Sequence, residues 1–340
     1  MSKSKIEWTD AVWNPVTGCT KVSDGCRNCY AERMSKRLAG RCGYPKDEPF
    51  KVTLHPDKLE QPLRWTKPRK IFVNSMSDLF HDDVNEKFIA KVFAIMDLAR
   101  QHIYMILTKR PERAEKLLND ENFQFHIGWF QSQAERELGL SVKEIGPFPF
   151  KNVWIGVSVE NQATADERIP LLLQIPAVVR FISAEPLLSE INLSRYLKWP
   201  ICKRWGRDGD PNKYGEYHWE KQSLVGTDWV GIDLAIVGGE SGPGARPMHP
   251  DWACSLRDQC QLSDTSFFFK QWGEWKSESH TNELSGFMCR DVFLNRNGTT
   301  TEPIDGWIRL CRVGKKQAGR ELDGRTWDEF PEVQGNGNVI

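Results

Sequence analysis

The chain has 340 residues, and its 46 lysines and arginines are balanced by 46 aspartates and glutamates. A net charge of zero gives no general attraction to a polyanion, so only a local basic patch can bind one. The nine cysteines are odd in number, and the chain is far longer than disulfide-dependent secreted domains, which argues against a disulfide framework.

The N-terminus carries lysines without a following apolar run, and no stretch approaches the length of a membrane span. We therefore expect a cytoplasmic protein with no membrane partner. The length suits one large domain, or one domain with an extension.

A first strand is indicated near Asp10–Trp13, and a loop with three cysteines follows it. Three thiolates within eleven residues can wrap a metal or cluster, but they leave a four-coordinate centre one ligand short. A structural zinc site is instead closed by four protein ligands. The three cysteines are Cys19, Cys26 and Cys29.

A fourth ligand is not obvious, because Cys42 and His55 both lie far along the chain without a partner nearby. Zinc nevertheless stays as the alternative. Under that interpretation the chain is a zinc-stabilised nucleic-acid-binding protein without redox chemistry.

Apolar strand patterns then alternate with helical patterns, which predicts a parallel sheet built from βαβ units. The predicted strands are Lys70–Asn74, Ile103–Thr108, Val153–Ser158, Val178–Ser183, Leu234–Val237 and Ser266–Lys270. The predicted helices are Val84–Gln101 with Asp82 or Asp83 as N-cap, one that begins at Pro111, one that ends near Leu173, and Asp251–Cys260.

Polar side chains follow the end of each of these strands. Active sites of (β/α) barrels lie at the carboxyl ends of the strands, so six such ends in succession indicate one pocket. Each residue alone would suit a helix cap or a loop. The rim residues are Asn74, Ser75, Ser77, Asp78, Thr108, Lys109, Arg110, Ser158, Glu160, Asn161, Ser183, Glu185, Gly238, Gly239, Glu240, Lys270 and Gln271.

Two segments depart from this alternation. We predict a barrel over residues 1–280 with an insertion at about 195–230, and a basic C-terminal extension over 281–340. Basic residues interleaved with aromatics are typical of a nucleic-acid groove, and a solvated lid is the alternative. The basic residues of the extension are Arg309, Arg312, Lys315, Lys316, Arg320 and Arg325.

Five ordered motifs extend over most of the chain, at Trp13–Ala31, Phe181–Leu187, Val237–Pro247, Phe267–Gly273 and Gly314–Gly324. With these motifs the sequence resembles the phage-associated three-Cys-motif family of radical-SAM-like proteins. The resemblance implies an α/β fold with a partial (β/α) barrel of the radical-SAM type. Six residues separate the first two cysteines here, whereas the usual superfamily spacing has three.

The resemblance also implies a cofactor set and a reaction. Cys19, Cys26 and Cys29 would hold a 4Fe-4S cluster whose fourth iron is chelated by S-adenosylmethionine. One-electron reduction, for which an electron donor is required, would give a 5'-deoxyadenosyl radical that abstracts hydrogen from a substrate. We expect that substrate to be a nucleic acid or nucleotide; a small molecule or a partner protein is the alternative.

Roles for rim residues follow from the same resemblance. Asp78 is expected either to accept from the methionine ammonium group or to cap a helix, and Asn74, Ser75 and Ser77 are further candidates beside it. Lys109 or Arg110 would pair with the methionine carboxylate. Ribose or substrate contacts are expected from Ser158, Glu160, Asn161, Glu185 and Glu240, and the candidate catalytic residues are Glu240 and Lys270.

Overall fold

The computed structural model describes residue 4 and residues 6–139, 146–204, 217–223, 231–277, 291–300 and 307–332. Much of the predicted insertion (205–216 and 224–230) and parts of the predicted extension (281–290, 301–306 and 333–340) lie outside these ranges.

The strands, in chain order, are β1 (Ala11–Trp13), β2 (Val16–Thr17), β3 (Thr53–Leu54), β4 (Lys70–Val73), β5 (Ile103–Thr108), β6 (Val153–Ser158), β7 (Val179–Ala184), β8 (Lys198–Arg204), β9 (Tyr217–Ser223), β10 (Leu234–Gly238), β11 (Ser266–Gln271), β12 (Trp275–Ser277), β13 (Asp291–Leu294) and β14 (Ile308–Arg312). The helices are α1 (Tyr30–Leu38), α2 (Glu86–Leu98), α3 (Pro111–Leu118), α4 (Glu121–Leu138), α5 (Gln162–Gln174), α6 (Pro250–Leu262) and α7 (Lys315–Ala318).

Seven parallel strands form one sheet in the order β1-β4-β5-β6-β7-β10-β11. Neighbours in this sheet follow one another along the chain, as repeated βαβ units require. The sheet is curled into a half-barrel, and its edge strands β1 and β11 do not pair with each other. The predicted α/β class and parallel sheet are therefore confirmed.

The strand predictions agree with the structure to within a residue or two at each end. The predicted N-cap of α2 is wrong, because the helix begins at Glu86 and the side chain of Asn85 accepts a hydrogen bond from the Phe88 amide at 2.8 Å. Asp82 and Asp83 lie in the turn before it.

Apolar residues cover both faces of the sheet. On the convex face, alternate strand residues such as Ile71 and Val73 pack in a large cluster with the helices. On the concave face, a smaller cluster centred on Trp8, Trp154 and Phe181 fills the floor of the half-barrel. A floor of packed side chains leaves the carboxyl ends of the strands as the open end of the barrel.

The C-terminal part of the chain packs against the sheet edge. Strand β12, which precedes residue 280, joins β13 and β14 in an antiparallel sheet, so this sheet spans the predicted domain boundary. Farther along, the Phe269 amide of β11 donates to the Trp327 carbonyl at 2.9 Å. The two described strands of the insertion, β8 and β9, form an antiparallel pair. Among the described residues, no helix is long and apolar enough to cross a lipid bilayer.

Candidate active site

The cysteine loop, residues 18–29, is attached to the carboxyl-end rim of the half-barrel at its first residue. The Gly18 amide donates to the Met76 carbonyl at 3.0 Å, just beyond the end of β4. Gly18 has a φ of +85°, and a Cβ there would lie 2.1 Å from the Lys51 carbonyl oxygen. Only glycine fits this position, because both the backbone conformation and the space exclude a side chain.

Cys19 lies beside an ion pair of the rim. Arg110 Nη1 lies 3.6 Å from Cys19 Sγ and 3.2 Å from Asp78 Oδ2. Burial, reinforced by the charge of Asp78 and only partly offset by Arg110, raises the pKa of the Cys19 thiol to about 11. This thiol is therefore protonated at neutral pH unless a metal displaces its proton.

Cys26 lies in a different electrostatic environment. Burial opposes ionisation of its thiol, but the charge of Lys109 and hydrogen bonds at Val22 and Ser23 outweigh it, and the pKa is lower than usual. Ser23 Oγ lies 3.8 Å from Cys26 Sγ. A thiolate is the form that binds a metal, so of these two thiols Cys26 is closer to the form that a metal would require.

Glu160 connects the loop to the end of β6. Its carboxylate, only 1% exposed, accepts from Ser23 Oγ at 2.8 Å, pairs with Lys109, and accepts from Arg168 Nη1 at 3.2 Å. Burial raises the pKa of this carboxyl, but the two cations outweigh burial and hold it below the usual value. A Cβ on Gly25 would lie 2.4 Å from Glu160 Oε1, so the loop backbone approaches the carboxylate closely.

Glu240 makes a third connection, from the end of β10. Asn28 Nδ2 donates to Glu240 Oε2 at 3.0 Å, and Arg246 holds both carboxylate oxygens at 2.7 and 2.9 Å. Arg246 also donates to Asp24 Oδ2 at 2.8 Å. Burial raises the pKa of Glu240, but the hydrogen bonds from Arg246 and Asn28 outweigh burial and lower it.

Glu185 and Lys270 form a pair across the ends of β7 and β11. Lys270 Nζ donates to Glu185 Oε2 at 2.8 Å, and Gln271 Nε2 donates to Oε1 at 3.1 Å. Of the two candidate catalytic residues, Lys270 belongs to this pair whereas Glu240 belongs to the loop attachment. The two candidate catalytic residues therefore lie in different environments.

The residues after β4 are engaged with their own chain. The Asp78 carboxylate, in a residue only 5% exposed, accepts from Thr108 Oγ1 at 2.8 Å and from the Lys109 amide at 2.9 Å. Ser77 donates to the Val16 carbonyl at 2.9 Å, and Ser75 to Asn14 Oδ1 at 3.2 Å. The alternative prediction for Asp78, a helix cap, is wrong because it accepts from the Phe80 amide in a turn before α2.

Asn74 has a φ of +61° and accepts from the Val16 amide at 3.3 Å, while its buried amide nitrogen has no hydrogen-bond partner among the described residues. On the next strands, Ser158 and Ser183 face each other in register and are both buried. Asn161 caps α5, since its side chain accepts from the Thr164 amide at 2.9 Å in a capping box.

The side chains of the cysteine loop do not converge in this structure. Among the described residues, no three His, Cys, Asp or Glu side chains form a group that could hold a metal ion. The three thiols, all half-buried and none in a disulfide, are nevertheless the soft donors that iron–sulfur clusters and zinc take. The donor type fits either an iron–sulfur cluster or zinc. Binding of either would require rearrangement of side chains within the loop.

Four residues that sequence reasoning missed hold this site together. Ser23 and Asn28 lie inside the cysteine loop and have no distinctive spacing, so they carry little signal. Arg246 lies six residues beyond Glu240 within a motif already noted, and the two opposite charges could have suggested a pair. Arg168 falls on a buried face of α5, where an arginine needs a carboxylate partner.

The comparisons with known proteins give one match. A family described as "Protein of unknown function (DUF5131)" matches residues 3–331. No curated protein and no solved structure gives a significant match. Because the family match covers nearly the whole chain, this protein belongs to the family DUF5131.

Proposed function

We propose that this protein is an iron–sulfur enzyme of the radical S-adenosylmethionine type that acts on a nucleic acid or nucleotide. The observation that carries the proposal is the attachment of a three-thiol loop to three strand ends of an open half-barrel, through Arg110, Glu160 and Glu240. The carboxyl ends of parallel strands are where such folds place their chemistry.

Cys19, Cys26 and Cys29 would hold the cluster, which would pass one electron from an external donor to S-adenosylmethionine, so that the C5'–S bond breaks and methionine and a 5'-deoxyadenosyl radical are released. The chain's own task is to position the cluster and S-adenosylmethionine and to shield them from solvent. Lys109 brings positive charge to Cys26 and Arg110 brings it to Cys19, and such charge favours thiolate ligands.

The polar rim offers contacts for the cofactor. Glu185, with 19% of its side chain exposed, is more accessible than Asp78, whose carboxylate is largely enclosed by its own chain. We therefore place the methionine and ribose groups of S-adenosylmethionine along the rim between the loop and Glu185, with Lys270 and Glu185 nearest the substrate.

Metal analysis of anaerobically purified protein tests the proposal. We expect iron and sulfide, with a brown colour and absorption at about 400 nm. Alanine at Cys19, Cys26 or Cys29 should each abolish iron binding, whereas Cys42→Ala, the matched control on an exposed cysteine, should retain it. A colourless protein with one zinc would favour the zinc-stabilised alternative, and equal iron loss in the Cys42 and Cys26 variants would contradict the ligand assignment.

Cofactor binding is tested separately by calorimetric titration of S-adenosylmethionine. Glu185→Ala should weaken binding without loss of iron, because the carboxylate lies at the rim rather than on the loop. Asp78→Ala should also weaken binding, and through its partner Arg110 it should disturb Cys19 as well. Unchanged affinity in both variants would contradict the placement of the cofactor.

A further inference from the structure

Two adjoining cavities form a groove on the open side of the half-barrel. The first, of 240 Å³, lies between α1 and the loop Ser241–Pro243, and the second, of 380 Å³, lies between Glu7 and the end of β11. Lys315 lines both, so the two cavities adjoin at this residue. The groove therefore runs from the exit of the cysteine loop to the end of β11.

Cations outnumber carboxylates along this groove. It is lined by two carboxylates, Glu7 and Glu274, and by six cations. The Lys270 ammonium pairs with Glu185, Arg320 pairs with Asp328, and Lys315 pairs with Glu7 at 2.9 Å. The six cations are Arg33, Arg37, Lys270, Lys315, Lys316 and Arg320.

Several of these cations keep their charge available for an anion. Arg33 donates to the carbonyls of Ser241 and Pro243 and not to a carboxylate. Arg37 and Lys316 are exposed and form no ion pair with any residue in the described ranges. In a protein with zero net charge, this local excess is the feature that would attract a polyanion.

An aromatic ring lies at the end of the groove beside the cysteines. Tyr30 follows Cys29 directly, opens α1 and is 58% exposed. An exposed ring of this kind can stack on a nucleobase, whereas the flanking cations bind phosphates. A base reaches such a ring only when it is unpaired, so the combination fits a single strand better than a duplex.

We propose that this groove binds single-stranded nucleic acid, with phosphates on Arg33, Arg37 and Lys316 and a base on Tyr30. The inference rests on the proposed function in that it names the substrate and its path toward the cysteine loop. Binding of the strand uses no cluster ligand, so it can be measured independently of the iron chemistry.

Fluorescence anisotropy with a labelled oligothymidylate of about 16 nucleotides tests the groove at two salt concentrations. We expect binding at low salt that weakens steeply as salt rises, because bound phosphates release counterions. Arg37→Gln with Lys316→Gln should weaken binding about tenfold and reduce the salt slope by about 1.4. The matched control, Lys116→Gln with Arg136→Gln on the exposed surfaces of α3 and α4, should change neither.

Tyr30→Ala should weaken binding about fivefold or more, whereas Phe125→Ala, which removes another exposed ring on α4, should have no effect. Three results would overturn the inference: no binding at low salt, equal losses in the groove and control pairs, or equal affinity for polyglutamate, which would indicate an acidic protein partner.

Repeating the titration with Cys26→Ala separates the two proposals. Binding that persists in a chain without iron supports the groove, even where the proposed redox chemistry fails. If a chain with its full iron content does not bind the single strand, the iron–sulfur proposal stands and the proposed nucleic-acid groove is contradicted.

Discussion

Lys109 gives Cys26 an electrostatic environment that Cys19 does not share. Its ammonium group pairs with Glu160 and lies 3.4 Å from Ser23 Oγ, and its charge lowers the pKa of Cys26. At Cys19, burial and the charge of Asp78 raise the pKa of the thiol to about 11. Two thiols that look equivalent in the sequence therefore differ in acidity.

This difference predicts different reactivity in metal-free protein. At pH 9.0, the ordinary pKa of a thiol, Cys26 should be alkylated by iodoacetamide much faster than Cys19, because the thiolate is the nucleophile. Trypsin places the two cysteines on separate peptides, since it cleaves after Lys21 and Arg27, so mass spectrometry can follow each. Lys109→Ala should slow the alkylation of Cys26. Equal alkylation rates for Cys26 and Cys19 in the unmodified chain would contradict the assignment.

Glu160 predicts a pH dependence of stability. Its pKa in the folded chain is lowered, so it contributes stability that is fully present above its ordinary value of 4.5 and is lost as the pH falls through the lowered pKa. Glu160→Gln leaves Lys109 and Arg168 without their carboxylate and should cost about 3–5 kcal/mol near neutral pH. Thermal unfolding measured across pH should show that the variant loses less stability at acid pH than the unmodified chain. An unchanged profile would contradict this role.

Gly25 predicts a steric requirement. Gly25→Ala should push the loop away from Glu160, because the new Cβ would lie 2.4 Å from the carboxylate. We expect lower thermal stability and weaker iron binding. Gly128→Ala is the matched control, since its Cβ meets nothing closer than 3.9 Å in the middle of α4, and there it should stabilise by about 1 kcal/mol. Normal iron content in the Gly25 variant would contradict the steric requirement for glycine at this position.

At the scale of elements, the sequence predicted the bounds of strands better than the roles of the polar residues at their ends. The apolar runs of β5 and β6 give their bounds directly, because buried parallel strands are short and continuously apolar. The end of β6 is different, since a polar residue there can cap the next helix or face the pocket. Asn161 caps α5 and Glu160 faces the cysteine loop, and no pattern in the chain distinguishes these neighbours.

The cap at Asn161 can be separated from any role in cofactor binding. Asn161→Ala and Asn85→Ala each remove an N-cap hydrogen bond and should each cost about 1 kcal/mol in unfolding. Only the Asn161 variant should also weaken S-adenosylmethionine binding, because Asn85 caps α2 away from the predicted cofactor rim. Equal affinity for the cofactor in both variants would restrict Asn161 to its structural role.

At the scale of the molecule, the parallel sheet was predictable because alternating strands and helices leave few topologies, whereas the partial barrel was implied by the family resemblance. The attachments of the loop were not, since Asn28 and Glu240 are 212 residues apart. The packing of the chain near Trp327 on the edge of β11 was also beyond the pattern, because that segment has no periodicity of its own. Long-range side-chain contacts of this kind are set by tertiary structure and not by local sequence.

We propose that the cysteine loop supports reductive cleavage of S-adenosylmethionine. The direct measurement is chromatographic detection of 5'-deoxyadenosine after anaerobic incubation of reconstituted, dithionite-reduced protein with S-adenosylmethionine. We expect 5'-deoxyadenosine from the unmodified chain and from Cys42→Ala, and none from Cys26→Ala. No 5'-deoxyadenosine from protein that contains its full iron and binds S-adenosylmethionine would contradict it.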